Sequence, residues 1–181
     1  MLRAGEHERE CGVADRVVLV NGLPASGKST LGAELARQLD WVFLSKDTLK
    51  ETFGELAWPH VPSARLGGLA LDAMYSLAGA IEGGVVLDAI WLSTRDRPFL
   101  DAGLAIMGEP FVVEVWCDIP ETAARERYEH RMPARHEMHE GWRPGFWDDA
   151  GPITENPIRI DTTGQVDVGR LAEQVRTAWD R

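Results

Sequence analysis

The stretch VVLVNGLPASGKSTLGAEL, Val17 to Leu35, limits what this chain can fold into more than any other part of it. A mostly β-branched run, Val17 to Val20, leads into Gly22-Leu23-Pro24-Ala25-Ser26-Gly27-Lys28-Ser29, which fits G-x-x-x-x-G-K-[ST]. From Lys28 onward the apolar residues recur with helical periodicity. Successive backbone N–H groups of such a loop point into one concavity, and the helix that follows aims its positive dipole end at the same place. The loop is therefore predicted to cradle a polyphosphate, with Gly22, Pro24, Ala25, Ser26, Gly27, Lys28, Ser29 and Thr30 around it. Lys28 is expected to reach the β- and γ-phosphates, and the Ser29 hydroxyl to ligate Mg²⁺.

Around this loop the pattern alternates. Apolar runs at Arg16 to Asn21, Trp41 to Ser45, Gly84 to Ile90, Phe111 to Cys117 and Ile158 to Asp161 are read as strands. Helical patterns lie between them at Lys28 to Leu39, Asp47 to Gly54, about Pro62 to Ile81, about Arg95 to Met107, Pro120 to Met132 and Val168 to Trp179. Near-continuous apolar strands separated by helices predict an α/β fold with a five-stranded parallel sheet covered on both faces. The 181 residues, 44% of them hydrophobic, suffice for one core; residues 15–181 are read as one domain and residues 1–14 as a loose tail. Pro133 to Pro157 reads as irregular.

Charge and cysteine content limit the partners. With 19 Lys and Arg against 29 Asp and Glu, the net charge of −10 argues against a long nucleic acid as partner. Cys11 and Cys117 are far apart and have no metal-ligand spacing, as suits a reducing compartment. The charged N-terminus lacks an apolar signal region, and no run reaches transmembrane length, so a cytoplasmic location without a membrane partner is expected.

Ligands of open α/β sheets bind outside the carboxyl ends of the strands, which directs attention to the residues there. Asp47, in SKDTLKE, is a candidate general base for an acceptor hydroxyl; an Asp entering a helix is equally explained as an N-cap. Asp88, in VVLDAIW, is a candidate Mg²⁺ partner with Ser29, and the two aspartates are open to exchanging roles. Lys50, Trp91 and Arg135 join Asp47 and Asp88 as candidate acceptor contacts, with Trp58 and Trp91 as walls; simple packing explains either tryptophan as well. Arg127 and Arg131 share one helical face and Arg135 follows, so they are candidate cations of a lid, weighed against a solvated face paired with Glu126 and Glu129. His136 and His139 have no third ligand in evidence and make a poor zinc site. The turn at Thr163 and Gly164 is a candidate adenine contact.

Taken in order, the phosphate loop, SKDTLKE, VVLDAIW, CDIPETAARERYEHR and DTTG resemble the small P-loop kinases typified by chloramphenicol phosphotransferase, gluconate kinase, zeta toxins and the kinase domain of polynucleotide kinase. The likeness spans about Arg16 to Arg181. It implies a P-loop NTPase three-layer sandwich of strand order 2-3-1-4-5 with an arginine-bearing lid. It also implies ATP and Mg²⁺ as cofactors, Asp47 as the base and Lys28 and Arg131 as catalytic cations. The acceptor it leads one to expect is a hydroxyl of a small molecule, such as an antibiotic (hence resistance), a sugar or a similar metabolite. A regulatory GTPase is disfavoured because the chain has no N-K-x-D motif. The rival reading is a polynucleotide or nucleoside 5′-hydroxyl kinase, with Lys46 and Lys50 holding an acceptor phosphate. It predicts basic side chains lining a groove from Lys50 towards Arg95 and Arg97.

Overall fold

The computed structural model describes residues 14–131, 138, 139, 147 and 149–179. In chain order the elements are β1 (Ala14–Gly22), α1 (Lys28–Leu39), β2 (Val42–Ser45), α2 (Lys46–Ala57), α3 (Ser63–Ala78), β3 (Gly83–Asp88), α4 (Arg97–Ile106), β4 (Phe111–Asp118), α5 (Glu121–Arg131), β5 (Ile158–Asp161) and α6 (Val168–Trp179). All four strand pairings are parallel and the order is β2-β3-β1-β4-β5, as the resemblance implies. Five parallel strands with helical crossovers need cover on both faces, and the alternation of side chains along β1 provides it. Val17 and Leu19 point to one side, where they join Val85 and Leu87 of β3 and meet Met74, Tyr75, Leu100 and Met107. Val18 and Val20 point to the other, with Val86, Val113 and Val115, under Leu31 and Leu35 of α1 and Leu171 and Val175 of α6.

Register decides which residues emerge together at the carboxyl edge. Ser45 lies opposite Asp88, Val20 opposite Asp88 and Gly22 opposite Cys117. The carboxyl ends of β2, β3, β1 and β4 thus lie side by side beneath the loop that leaves β1.

Several glycines admit bulky neighbours into this frame. A Cβ at Gly84 would overlap the Trp41 indole, one at Gly32 would come 2.7 Å from the Phe43 ring, and one at Gly54 would strike the Met138 thioether. The last contact matters functionally: it lays Met138, from the chain after α5, directly on α2. Beside it, the His139 Nε2 lies 2.8 Å from Glu51 Oε1. Ala124 of α5 and Ile119 form a small cluster with Trp147 and Leu23 of the phosphate loop, with Tyr128 edge-on to the Trp147 ring and the Arg125 guanidinium over it at 4.5 Å.

Candidate active site

The loop after β1 makes a turn closed by the Ser26 N–H donating to the Leu23 carbonyl at 3.1 Å, and α1 begins at Lys28. Gly27, at φ 94°, occupies the left-handed region that glycine enters at no steric cost; a Cβ there would touch nothing within 4 Å, so backbone conformation alone asks for glycine. Gly22 is held by space as well, since a Cβ would come within 2.9 Å of the Cys117 carbonyl oxygen. Lys28 is buried, and its Nζ donates to the Leu23 carbonyl at 2.7 Å, which keeps the ammonium at the mouth of the loop. Burial pushes the Lys28 pKa down; Asp88, Cys117 and Asp47 oppose that shift and Arg131 adds to it.

Asp88 is 3% exposed. Its Oδ2 accepts the Ser45 hydroxyl at 2.9 Å, and the Ser29 hydroxyl also donates to the carboxylate. Burial pushes its pKa up, against the hydrogen bond from Ser29, the charge of Lys28 and the hydrogen bond from Ser45, while Asp47 adds to the rise. Lys28, Asp88 and Asp47 therefore share one electrostatic environment. The Ser29 hydroxyl and the Asp88 carboxylate are hard oxygen donors side by side at the cradle, a set that fits Mg²⁺ completed by phosphate and water oxygens. Among the described residues, no three of His, Cys, Asp and Glu cluster for a metal held by protein alone.

Asp47 lies in the first turn of α2, one residue past its start. The N-cap position belongs to Ser45, whose hydroxyl is turned to Asp88 rather than to the helix, so N-capping does not account for Asp47. The Asp47 side chain is half exposed, and its Oδ1 lies 3.6 Å from Lys46 Nζ.

On the other side of the loop, an open cleft of about 840 Å³ brings together Ala25, Gly27, Thr30, Arg127, Arg131 and Gly164. Thr162 and residues 165–169 complete its far wall, and Glu34 and Gln38 of α1 join it; none of these was singled out from the sequence. Arg127 donates to the carbonyls of Thr162 (3.1 Å) and Thr163 (2.9 Å), tying α5 to the turn after β5. The Thr163 N–H and hydroxyl both bind Asp161 Oδ1, at 2.8 and 2.7 Å, which shapes that turn.

Two expected acceptor contacts are engaged within the fold. Trp91 is 1% exposed and donates its indole N–H to the Tyr75 hydroxyl at 2.8 Å, so it is part of the core beneath α3. Lys50 is buried with its ammonium on the Ser63 hydroxyl at 2.7 Å, joining α2 to α3. The expected basic groove is interrupted as well: Arg95 binds Asp96 through Nε at 2.6 Å and Nη2 at 2.8 Å, and Arg97 binds Asp101 at 2.8 Å. Arg135 and His136 lie outside the described residues. Asn21 and Glu114, both buried beside the loop, escaped sequence reading, although a Glu within the apolar run FVVEVWC is a visible signal.

Solved structures with this fold include a candidate kinase from Chloroflexus aurantiacus j-10-fl, with TM-score 0.75 and 24% identity, covering 91% of this chain and 98% of that one. They also include the Mycobacterium tuberculosis APS kinase CysC in complex with AMPPNP and APS (TM-score 0.64, 20% identity, 94% and 99% covered). A gluconokinase from Sinorhizobium meliloti 1021 is a third (TM-score 0.61, 16% identity, 91% and 93% covered). No curated protein sequence matches the chain. The AAA_33 family, described as an AAA domain, matches residues 17–141, more than half of the 181. With its phosphate loop, its parallel sheet order and these neighbours, the chain belongs to the AAA_33 family and has the fold of a small P-loop kinase.

Proposed function

We propose that the protein is an ATP-dependent phosphotransferase that moves the γ-phosphoryl group of ATP to a hydroxyl of a small molecule, an antibiotic, a sugar or a similar metabolite. The observation that carries this reading is the placement of Lys28: a buried ammonium at the mouth of the cradle, with Asp88 and Asp47 both within its field. Asp47 accepts the proton of the acceptor hydroxyl as its oxygen bonds to the γ-phosphorus and the bond from that phosphorus to the β,γ-bridging oxygen breaks, releasing ADP. Lys28 holds the β- and γ-phosphate oxygens, and Arg131 meets the charge that spreads over the transferring group. Thr163 and Gly164 border the adenine, with Arg127 holding their turn. Ser29 and Asp88 hold Mg²⁺, which when bound neutralises β- and γ-phosphate charge. Structures sharing the fold support the class, among them an APS kinase and a gluconokinase.

The test is ATP consumption across a panel of sugars, antibiotics and other alcohols, with a 5′-hydroxyl oligonucleotide as one member and product mass measured. A small molecule heavier by one phosphoryl group supports the proposal; transfer to the oligonucleotide alone overturns its acceptor class. With the acceptor in hand, Asp47→Asn is expected to slow transfer by about 10²–10⁴-fold while ATP affinity and fold persist. Asp88→Asn is expected to regain part of its loss at high Mg²⁺. Parent rates in Asp47→Asn, with Asp88→Asn inactive at every Mg²⁺ concentration, would assign the base to Asp88.

A further inference from the structure

Asn21 and Glu114 take no part in the chemistry above, yet both are buried and every polar atom of their side chains is engaged. Asn21 is the last residue before the phosphate loop. Its Oδ1 accepts the N–H of Gly22 at 2.8 Å and that of Trp91 at 3.1 Å, while its Nδ2 donates to the Trp91 carbonyl at 3.0 Å and to Glu114 Oε1 at 2.9 Å. Glu114, in the middle of β4 and 1% exposed, also receives the Ile153 N–H on both oxygens, each at 3.0 Å. Its Oε2 accepts the N–H and the hydroxyl of Thr154, each at 2.7 Å.

A carboxyl group in the middle of a buried strand is costly unless fully hydrogen bonded, and an aliphatic residue of similar volume would suit the sheet at least as well. What the network adds is position. Gly22 is where the loop leaves the sheet, so tightly that a Cβ would meet the Cys117 carbonyl oxygen at 2.9 Å. Trp91 lies three residues beyond Asp88, and Ile153 and Thr154 lie between Trp147, which packs on α5, and β5. One buried pair therefore ties the start of the cradle, the chain after the Asp88 strand and the return of the post-α5 segment.

We propose that Asn21 and Glu114 are positioning residues that set the phosphate cradle against the carboxylate row through the Gly22, Trp91 and Thr154 contacts. The inference rests on the nucleotide site proposed above. Loss of the network tilts the loop, and the loop's N–H groups and Lys28 then fit a triphosphate less well, while contacts to the base and ribose in the neighbouring cleft are untouched. The readout is the ratio of AMPPNP to AMP affinity, measured calorimetrically on the full chain below its melting temperature.

Glu114→Gln turns an amide N–H₂ towards groups that themselves donate, and is expected to lower that ratio by about tenfold. Thr154→Val removes only the hydroxyl contact and is expected to lower it by about threefold, and it carries the comparison if the glutamine variant does not fold. Variants that melt earlier but keep the parent ratio would show a purely structural network and overturn the inference. A parent chain that binds AMPPNP no better than AMP would instead overturn the nucleotide reading itself.

Discussion

Arg131 is an exposed residue at the end of α5, yet behind burial, the main cause, its charge adds to the lowering of the Lys28 pKa. A cation that opposes another across a phosphate loop is relieved when a polyanion arrives between them, and relieved most when charge develops on the transferring group. Arg131→Ala is therefore expected to lower kcat by about 10²-fold and weaken AMPPNP binding much less, as single-turnover rates and calorimetry would measure. Equal losses would make Arg131 a plain nucleotide contact, and no loss in either would return it to a solvated helix face. At the residue scale the sequence dictates backbone chemistry, as at Gly27, whose φ of 94° asks for glycine. It does not dictate direction. Trp91 follows a strand end just as a pocket wall would, but its indole is claimed by the Tyr75 hydroxyl from α3, a partner 16 positions away. Lys50 is engaged likewise, with its ammonium on the Ser63 hydroxyl of the next helix.

The elements show how much of the layout is local. The helix predicted at Lys28 to Leu39 is α1 residue for residue, as is Val168 to Trp179 for α6, because in both the apolar period and the flanking glycine or polar turn agree. Strand order was implied by resemblance and not by periodicity, which says nothing about neighbours.

Helix α2 gives a test at this scale. Asp47, Glu51 and Gly54 fall at i, i+4 and i+7, one stripe of the helix, and the chain after α5 lies on that stripe through His139 on Glu51 and Met138 on Gly54. Alanine is better than glycine inside a helix by about 1 kcal/mol, but overpacking costs about 1–3 kcal/mol. Gly54→Ala should thus lower stability in urea unfolding, with Met138→Ala restoring part of it. In α3, where a Cβ at Gly68 would meet nothing within 4 Å, the same substitution should raise stability by about 1 kcal/mol. Equal signs at the two sites would contradict the packing of Met138 on α2.

For the whole molecule, the consequential feature is that a chain of net charge −10 gathers Lys28, Arg127 and Arg131 around one loop. No helix among the described residues is long and apolar enough to cross a membrane. A ligand that binds only the folded state stabilises it by about 2.7 kcal/mol at a hundred times its dissociation constant. AMPPNP with Mg²⁺ should accordingly raise the melting temperature, a chelator should shrink the shift, and Lys28→Ala should remove most of it. A shift insensitive to the chelator would deny Ser29 and Asp88 their metal role.

By itself the sequence determined the phosphate loop, the alternation of apolar strands with helices, and which residues end up at the carboxyl edge, because these depend on backbone dihedral preferences and on periods of a few residues. Only the tertiary structure decided the rest. It turned Ser45 to Asp88 and left Asp47 unexplained as a cap, buried Trp91 and Lys50, joined Asn21 to Glu114 across 93 positions, and laid the chain after α5 on α2. Each of those outcomes is a competition among distant partners for one polar atom or one space, and it is settled by strand register and helix packing that no short window of sequence contains.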